Sequence, residues 1–130
     1  MTTIDAIMPL FIVSDLGESV AFYCDVLGFK LRASLPDQDP FFAIVGRDGV
    51  GIMLKHVSPE VTPLPNWQRH EWAKWDAFVS TPDPESLASE CQGRGGGVVL
   101  DVRDTEDGLR GFEIADVDGY VLFFGRPQRA

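Results

Sequence analysis

Met8 to Val13 (MPLFIV) is a short apolar run, and Ser14-Asp15 closes it with residues that favour a helix start. Asp15 is placed to cap that helix, with Glu18 three residues on completing a capping box. Leu16, Val20, Cys24 and Leu27 follow at helical spacing, so one stripe faces a core. Gly28 then stands where a helix stops in a left-handed residue. Phe29 to Leu35, Phe41 to Val45 and Gly51 to Lys55 read as strands, and Asp48-Gly49 between the last two signals a hairpin.

The same order returns in the second half. Trp75 to Ser80 (WDAFVS) is a short apolar run, Asp83 is a cap and Pro84 suits the first helical turn. Leu87, Ala88 and Cys91 carry the stripe, and glycines 93, 95, 96 and 97 end the helix. Val98 to Val102, Gly111 to Ala115 and Tyr120 to Phe124 read as three strands, with Asp118-Gly119 joining the last two. The capping Asp precedes the hairpin Asp by 33 residues in the first half and 35 in the second. A repeat of this length outranks any local reading. It predicts a single α+β domain of two tandem βαβββ modules, about residues 5–57 and 72–128, with a linker at about 58–71. Val57 to Glu71 holds three prolines and reads as that linker or as an arm over a neighbour, and Asp101 to Gly108 as an exposed acidic loop.

Charge narrows the function. Twenty acidic residues against 11 basic ones give a formal net charge of -9. This argues against nucleic acid, whose phosphates need clustered Lys and Arg, and against anionic membrane surfaces. No apolar run approaches the ~18 residues that cross a bilayer, so the protein is expected in the cytoplasm. Cys24 and Cys91 form no framework and no CxxC pair, and both fall on the apolar side of helices as buried thiols. Gly95-Gly96-Gly97 follows a helix rather than opening one, which suits termination and not a phosphate loop.

Phe22-Tyr23 followed by Asp25-Val26-Leu27-Gly28-Phe29 resembles the FYxDVLGF signature of the vicinal oxygen chelate superfamily, which holds glyoxalase I, the bleomycin-resistance proteins and the extradiol dioxygenases. Gly108-Leu109-Arg110-Gly111-Phe112 with Asp116-Val117-Asp118-Gly119-Tyr120 resembles its second signature, GxRxF…DPDGN, with Val117 for Pro and Tyr120 for Asn. Trp75-Asp76-Ala77 leading to Asp83 is similar to the bleomycin-resistance-like branch. The resemblance covers essentially the whole chain. It implies modules curved around a concave cleft, and a homodimer, since members of this size commonly complete their half-barrels across a two-fold axis. It also implies four inward strand positions for metal ligands, which here are Met8, Met53, Asp76 and Phe123. Divalent metals need several hard or borderline donors, so one carboxylate beside two thioethers and a phenyl ring implies no metal cofactor. His56, after a strand end, and His70, in the linker, complete no donor set.

Strands alternate their faces, so these positions select the rest of the lining. Met8, Leu10 and Ile12, Phe41 and Ala43, Met53 and Lys55, Asp76 and Phe78, Gly111 and Glu113, and Val121 and Phe123 should share the cleft. Phe11, Val13, Phe42, Ile44, Phe112 and Ile114 should pack beneath the helices, and Trp67, Trp72 and Trp75 offer a rim. Asp76 and Glu113 are costly in such a setting unless satisfied. Either Lys55, Arg110 or backbone donors satisfy them, or they await a ligand cation. The function expected is metal-free binding that sequesters a small cationic or aromatic compound. The alternative is an enzyme: a metal-dependent lyase or dioxygenase, or a metal-free one using Asp76 or Glu113 as general base.

Overall fold

The computed structural model describes residues 1–129. Strand β1 (Leu10–Ile12) leads into helix α1 (Leu16–Asp25), then β2 (Lys30–Leu35), β3 (Phe42–Arg47) and β4 (Val50–Lys55). A short helix, α2 (Asn66–Arg69), sits in the joining segment. The pattern then repeats as β5 (Ala77–Ser80), α3 (Pro84–Gly93), β6 (Val98–Asp104), β7 (Leu109–Ala115) and β8 (Val121–Pro127). The sheets run β1-β4-β3-β2 and β5-β8-β7-β6, so each has one parallel pair, first strand on last, and two antiparallel pairs. A helix must carry the chain across to make a parallel pair, which is why each module opens strand–helix. The α+β fold of two βαβββ modules is the architecture seen.

Both helices begin where their caps stand. The Asp15 carboxylate accepts from the Glu18 N–H at 2.9 Å, and that of Asp83 from the Ser86 N–H at 3.1 Å. Gly28 takes φ +72°, a left-handed conformation that other residues adopt only at a cost.

One core serves both sheets. Ala43, Val45, Ile52 and Leu54 of the first and Phe112, Ile114, Leu122 and Phe124 of the second join Leu16 and Tyr23 of α1, Leu27 just beyond it, and Ala88 and Cys91 of α3. Phe11, Val13, Phe112 and Ile114 therefore lie where alternation put them. Ala43, Phe42 and Ile44 do not. The two-residue turn at Asp48-Gly49 pairs Arg47 with Val50, which sets Ile44 opposite Met53 and Ala43 opposite Leu54. Ala43 is thus core, while Phe42 and Ile44 are half-buried on the other face. Cys91 is buried as expected, but Cys24 is only half-buried; burial raises both thiols above their ordinary range.

The junction between modules is polar at its centre. The Tyr23 hydroxyl donates to the Asp116 carboxylate at 2.7 Å, and the Tyr120 hydroxyl to the Ile12 carbonyl at 2.6 Å, with the Tyr120 ring stacked on Phe11 at 4.4 Å. The second Asp116 oxygen accepts from the N–H groups of Asp118 and Tyr120, tying down the β7–β8 loop. The Asp118 carboxylate accepts from Ser14 and Ser19 across the junction. The signature residues thus close the two modules on each other.

Burial pushes the Asp116 carboxyl up to about 6, against the pull of its Tyr23 and backbone donors and with Asp118 adding to the rise. Because the folded value exceeds the ordinary carboxylate value, the folded state holds the extra proton. Its contribution is complete below about pH 4 and is lost as pH rises through about 6. Asp116→Asn can keep the carbonyl oxygen on the two N–H groups and turn its amide to the Tyr23 oxygen. Urea unfolding should therefore show wild type losing on the order of 2–3 kcal/mol relative to Asp116→Asn between pH 4 and 7. Parallel stability curves for the two proteins would refute the assignment.

The proline-rich segment lies on its own chain. Pro65 is fully buried, and the Trp67 indole N–H donates to the Gly119 carbonyl at 2.7 Å. Strand β6 continues through Asp104, so the acidic loop is shorter than Asp101 to Gly108.

Candidate functional site

Residues on the face opposite the core carry the candidate site. In the second sheet, pairing sets Phe78 beside Phe123, and Phe123 opposite Glu113. Phe78 and Phe123 stack at 5.7 Å, and the Trp75 ring packs on both at 6.0 Å. Phe123 is 1% exposed. Its ring edge lies 2.7 Å and 2.5 Å from where a Cβ on Gly111 and on Gly125 would stand, so the glycine pair makes its seat.

Two cavities of about 410 and 380 Å³ open on this face, a size suited to a small organic molecule. Lys74, Arg103 and Glu113 border both. The first adds Trp75, Leu109, Phe123 and the acidic turn 104–107; the second adds Trp67, Leu100, Ala115 and Val121. A larger cavity of about 450 Å³ lies between the modules by α3, but it is walled by core side chains such as Phe29, Val79 and Cys91. Its one arginine, Arg47, is already held by Glu90 at 2.6 Å, so it offers little to orient a ligand.

Both carboxylates singled out from the sequence are satisfied from within. One Asp76 oxygen accepts from the Asn66 N–H and the other from the Val121 N–H, each at 2.8 Å. Glu113, 6% exposed, takes the Arg103 guanidinium at 3.1 Å. Backbone donors were among the anticipated partners, but Arg103 was not, and Arg110 instead holds Glu85 and Asp104.

The other sequence-selected residues fall in three places. Met8, Leu10, Met53 and Lys55 lie on the open face of the first sheet, where Leu10 adjoins Met53 and the Met8 sulfur rests over Gly51. Trp67 borders the second sheet's cavity with Glu113. Phe41 precedes β3 and is half-exposed, and Trp72 projects into solvent against the edge of His70. Sequence reasoning missed Arg103, Lys74 and Leu100. Leu100 was hidden by a register shift in β6 between Val98 and Leu100, which turns it to the face of Glu113, and a second shift between Leu100 and Arg103 restores Arg103 to the face that alternation from Val98 gives it.

A divalent metal does not fit the four inherited positions. The Asp76 oxygens are engaged, Phe123 is a buried ring, and Met8 and Met53 offer only thioether sulfur. Among the described residues no three His, Cys, Asp or Glu side chains gather closely enough to hold a metal ion. His56 Nδ1 sits 3.3 Å from the Val13 carbonyl, and His70 Nδ1 accepts from the Trp72 N–H at 3.1 Å. No helix among the described residues is long and apolar enough to cross a membrane.

Comparison with known proteins agrees with this architecture. Residues 3–124 match the family model of the Glyoxalase/Bleomycin resistance protein/Dioxygenase superfamily. No curated protein matches the sequence. Among solved structures, a bleomycin-binding protein complexed with bleomycin superposes with a TM-score of 0.73 at 19% identity, covering 96% of this chain and 100% of that one. TioX from Micromonospora sp. ML1 gives 0.71 at 19% identity over 95% and 99% of the two chains. TnmS3, an antibiotic binding protein from Streptomyces sp. CB03234, gives 0.69 at 23% identity over 95% and 97%. At these identities the likeness is one of fold.

Proposed function

Since the chain belongs to the Glyoxalase/Bleomycin resistance protein/Dioxygenase superfamily, we propose that it is a small-molecule-binding protein that sequesters an aromatic compound without a metal. The observation that carries this reading is the aromatic cluster of Trp75, Phe78 and Phe123, of which Trp75 and Phe123 border the first of two open cavities and Trp67 borders the second, on a face where the inherited metal positions hold thioethers and a phenyl ring. Aromatic side chains bind planar rings by offset stacking and large apolar contact. Three similar folds belong to proteins described as binding bleomycin, as binding an antibiotic, or as TioX, and the first two descriptions agree with a binding role here. Asp76 and Glu113 already have partners, two backbone N–H groups for the first and Arg103 for the second, so the reading rests on the aromatic half of the expectation.

We also place the protein in the cytoplasm as a homodimer. Two thiols outside any disulfide suit a reducing compartment. The cavities beside Glu113 draw only on the second module and the segment before it, while Leu10, Leu35, Phe41 and Trp67 stay about half-exposed. A second copy would cover this apolar surface.

One experiment reads assembly, metal content and ligand binding together. Native mass spectrometry of the purified protein should give twice the 14.3 kDa chain mass, no added transition metal, and a ligand-shifted peak on titration with bleomycin or another planar aromatic antibiotic. One Zn, Fe, Mn or Ni per chain, or conversion of the bound compound to product, would replace sequestration with enzymatic activity. A mass of one chain at micromolar concentration would remove the dimer.

A further inference from the structure

Building on the reading that the open face of the second sheet is the ligand surface, we propose that its ligand is an aromatic acid, whose anionic oxygen group Lys74 and Arg103 receive. One part of this surface carries the opposite charge to the chain. In the cavity bordered by Trp67 and Leu100 the charged groups are Lys74, Arg103 and Glu113, an excess of one positive charge inside a molecule of net charge -9. Glu113 is spent on Arg103. Lys74 has no carboxylate within ion-pair distance among the described residues.

The arginine is only partly satisfied. One terminal nitrogen, Nη2, donates to Glu113, while Nη1 is buried with no hydrogen-bond partner. A buried donor without a partner is costly, and an arriving oxygen anion would relieve that cost after a small turn of the guanidinium. Lys74 is held in place at a cost as well. Its φ is +50°, a left-handed conformation that lysine rarely adopts, between the Ala73 N–H bonded to the His70 carbonyl and the anchored Asp76. Trp67, Leu100, Ala115 and Val121 supply the apolar wall for the rings.

The acids of the turn, Asp104, Glu106 and Asp107, border the neighbouring cavity, which Lys74 and Arg103 also border, so the excess of positive charge is confined to the cavity beside Trp67. The anionic group is therefore directed to the Trp67 side.

The test compares two dyes with the same rings: anilinonaphthalene sulfonate, which is anionic, and N-phenylnaphthylamine, which lacks the sulfonate. Fluorescence titration of the full chain should show the sulfonate binding at least about tenfold more tightly, as a charge-assisted hydrogen bond warrants. Lys74→Gln, on an exposed loop, should weaken the sulfonate about tenfold and leave the neutral dye within about twofold. Arg103→Gln alone would strand Glu113, so the second variant is Arg103→Gln/Glu113→Gln, which should lower sulfonate affinity with the circular dichroism unchanged. Equal affinity for the two dyes, or a Lys74→Gln variant that binds both as wild type does, overturns the charge assignment. Leu100→Asp tests the surface separately and should remove binding of both dyes. If Leu100→Asp binds both as before, the ligand face itself is wrong, and if wild type binds neither dye, both readings fall.

Discussion

Phe123→Ala is expected to destabilise the domain by about 3–5 kcal/mol, the range for emptying a large aromatic site in a core. The ring is 1% exposed, stacks on Phe78 and Trp75, and fills the space above Gly111 and Gly125. Nothing nearby can take its place. A Cβ on Gly125 would stand 2.6 Å from the Arg110 carbonyl, so the sheet there is already at closest approach and cannot fold inward. Phe123→Leu retains most of the volume and should cost about 1–2 kcal/mol. Urea unfolding followed by Trp fluorescence measures both, since Trp75 packs on the ring. A loss below about 1 kcal/mol for the alanine variant would mean that the aromatic floor collapses freely and is no fixed platform for a ligand.

Removing Arg103 should be the second large effect. Arg103→Gln leaves the Glu113 carboxylate, 6% exposed, without its cation. Stranding one member of a fully buried pair costs 3–5 kcal/mol; the Arg103 side chain is 37% exposed, so about 2–3 kcal/mol is expected here. Glu113→Gln should cost less, about 1 kcal/mol, because the guanidinium left behind still reaches water. The double variant should then be more stable than the sum of the singles predicts, by about 1–2 kcal/mol, since it removes the stranded charge altogether. Strictly additive losses in urea unfolding would show that the pair is solvated and that the two side chains are not coupled.

The aromatic floor and the ion pair were unequally legible. Glu113 and Phe123 were placed on one face by counting twos from the hairpin, and β7 and β8 pair in that register. The same count failed in β3. The information was nonetheless present: a two-residue turn at Asp48-Gly49 fixes Arg47 opposite Val50, and therefore Ile44, not Ala43, on the face of Met53. The second Asp-Gly behaves differently. Five residues separate β7 from β8, and the Asp116 carboxylate organises them by accepting from Asp118 and Tyr120. No rule of turn length read from the dipeptide alone distinguishes the two cases, because the second loop is shaped by a carboxylate that Tyr23 anchors from the other module.

What the sequence determined by itself is what depends on near neighbours in the chain. Apolar spacing, the Asp15 and Asp83 caps, Gly28 and the repeated order of elements are local preferences, and each appears in the folded molecule. Tertiary structure decided which charges meet. Arg103 reaches Glu113 because two irregularities in β6 slide it two residues along β7, to stand opposite Gly111, and Asp76 accepts hydrogen bonds from N–H groups of residues 66 and 121. Such partners are chosen by strand register and loop path across long separations, where a shift of one residue reverses every face. The composition announced an acidic chain; only the packing placed Lys74 and Arg103 beside the cavities of the second sheet and set Glu113 against Arg103.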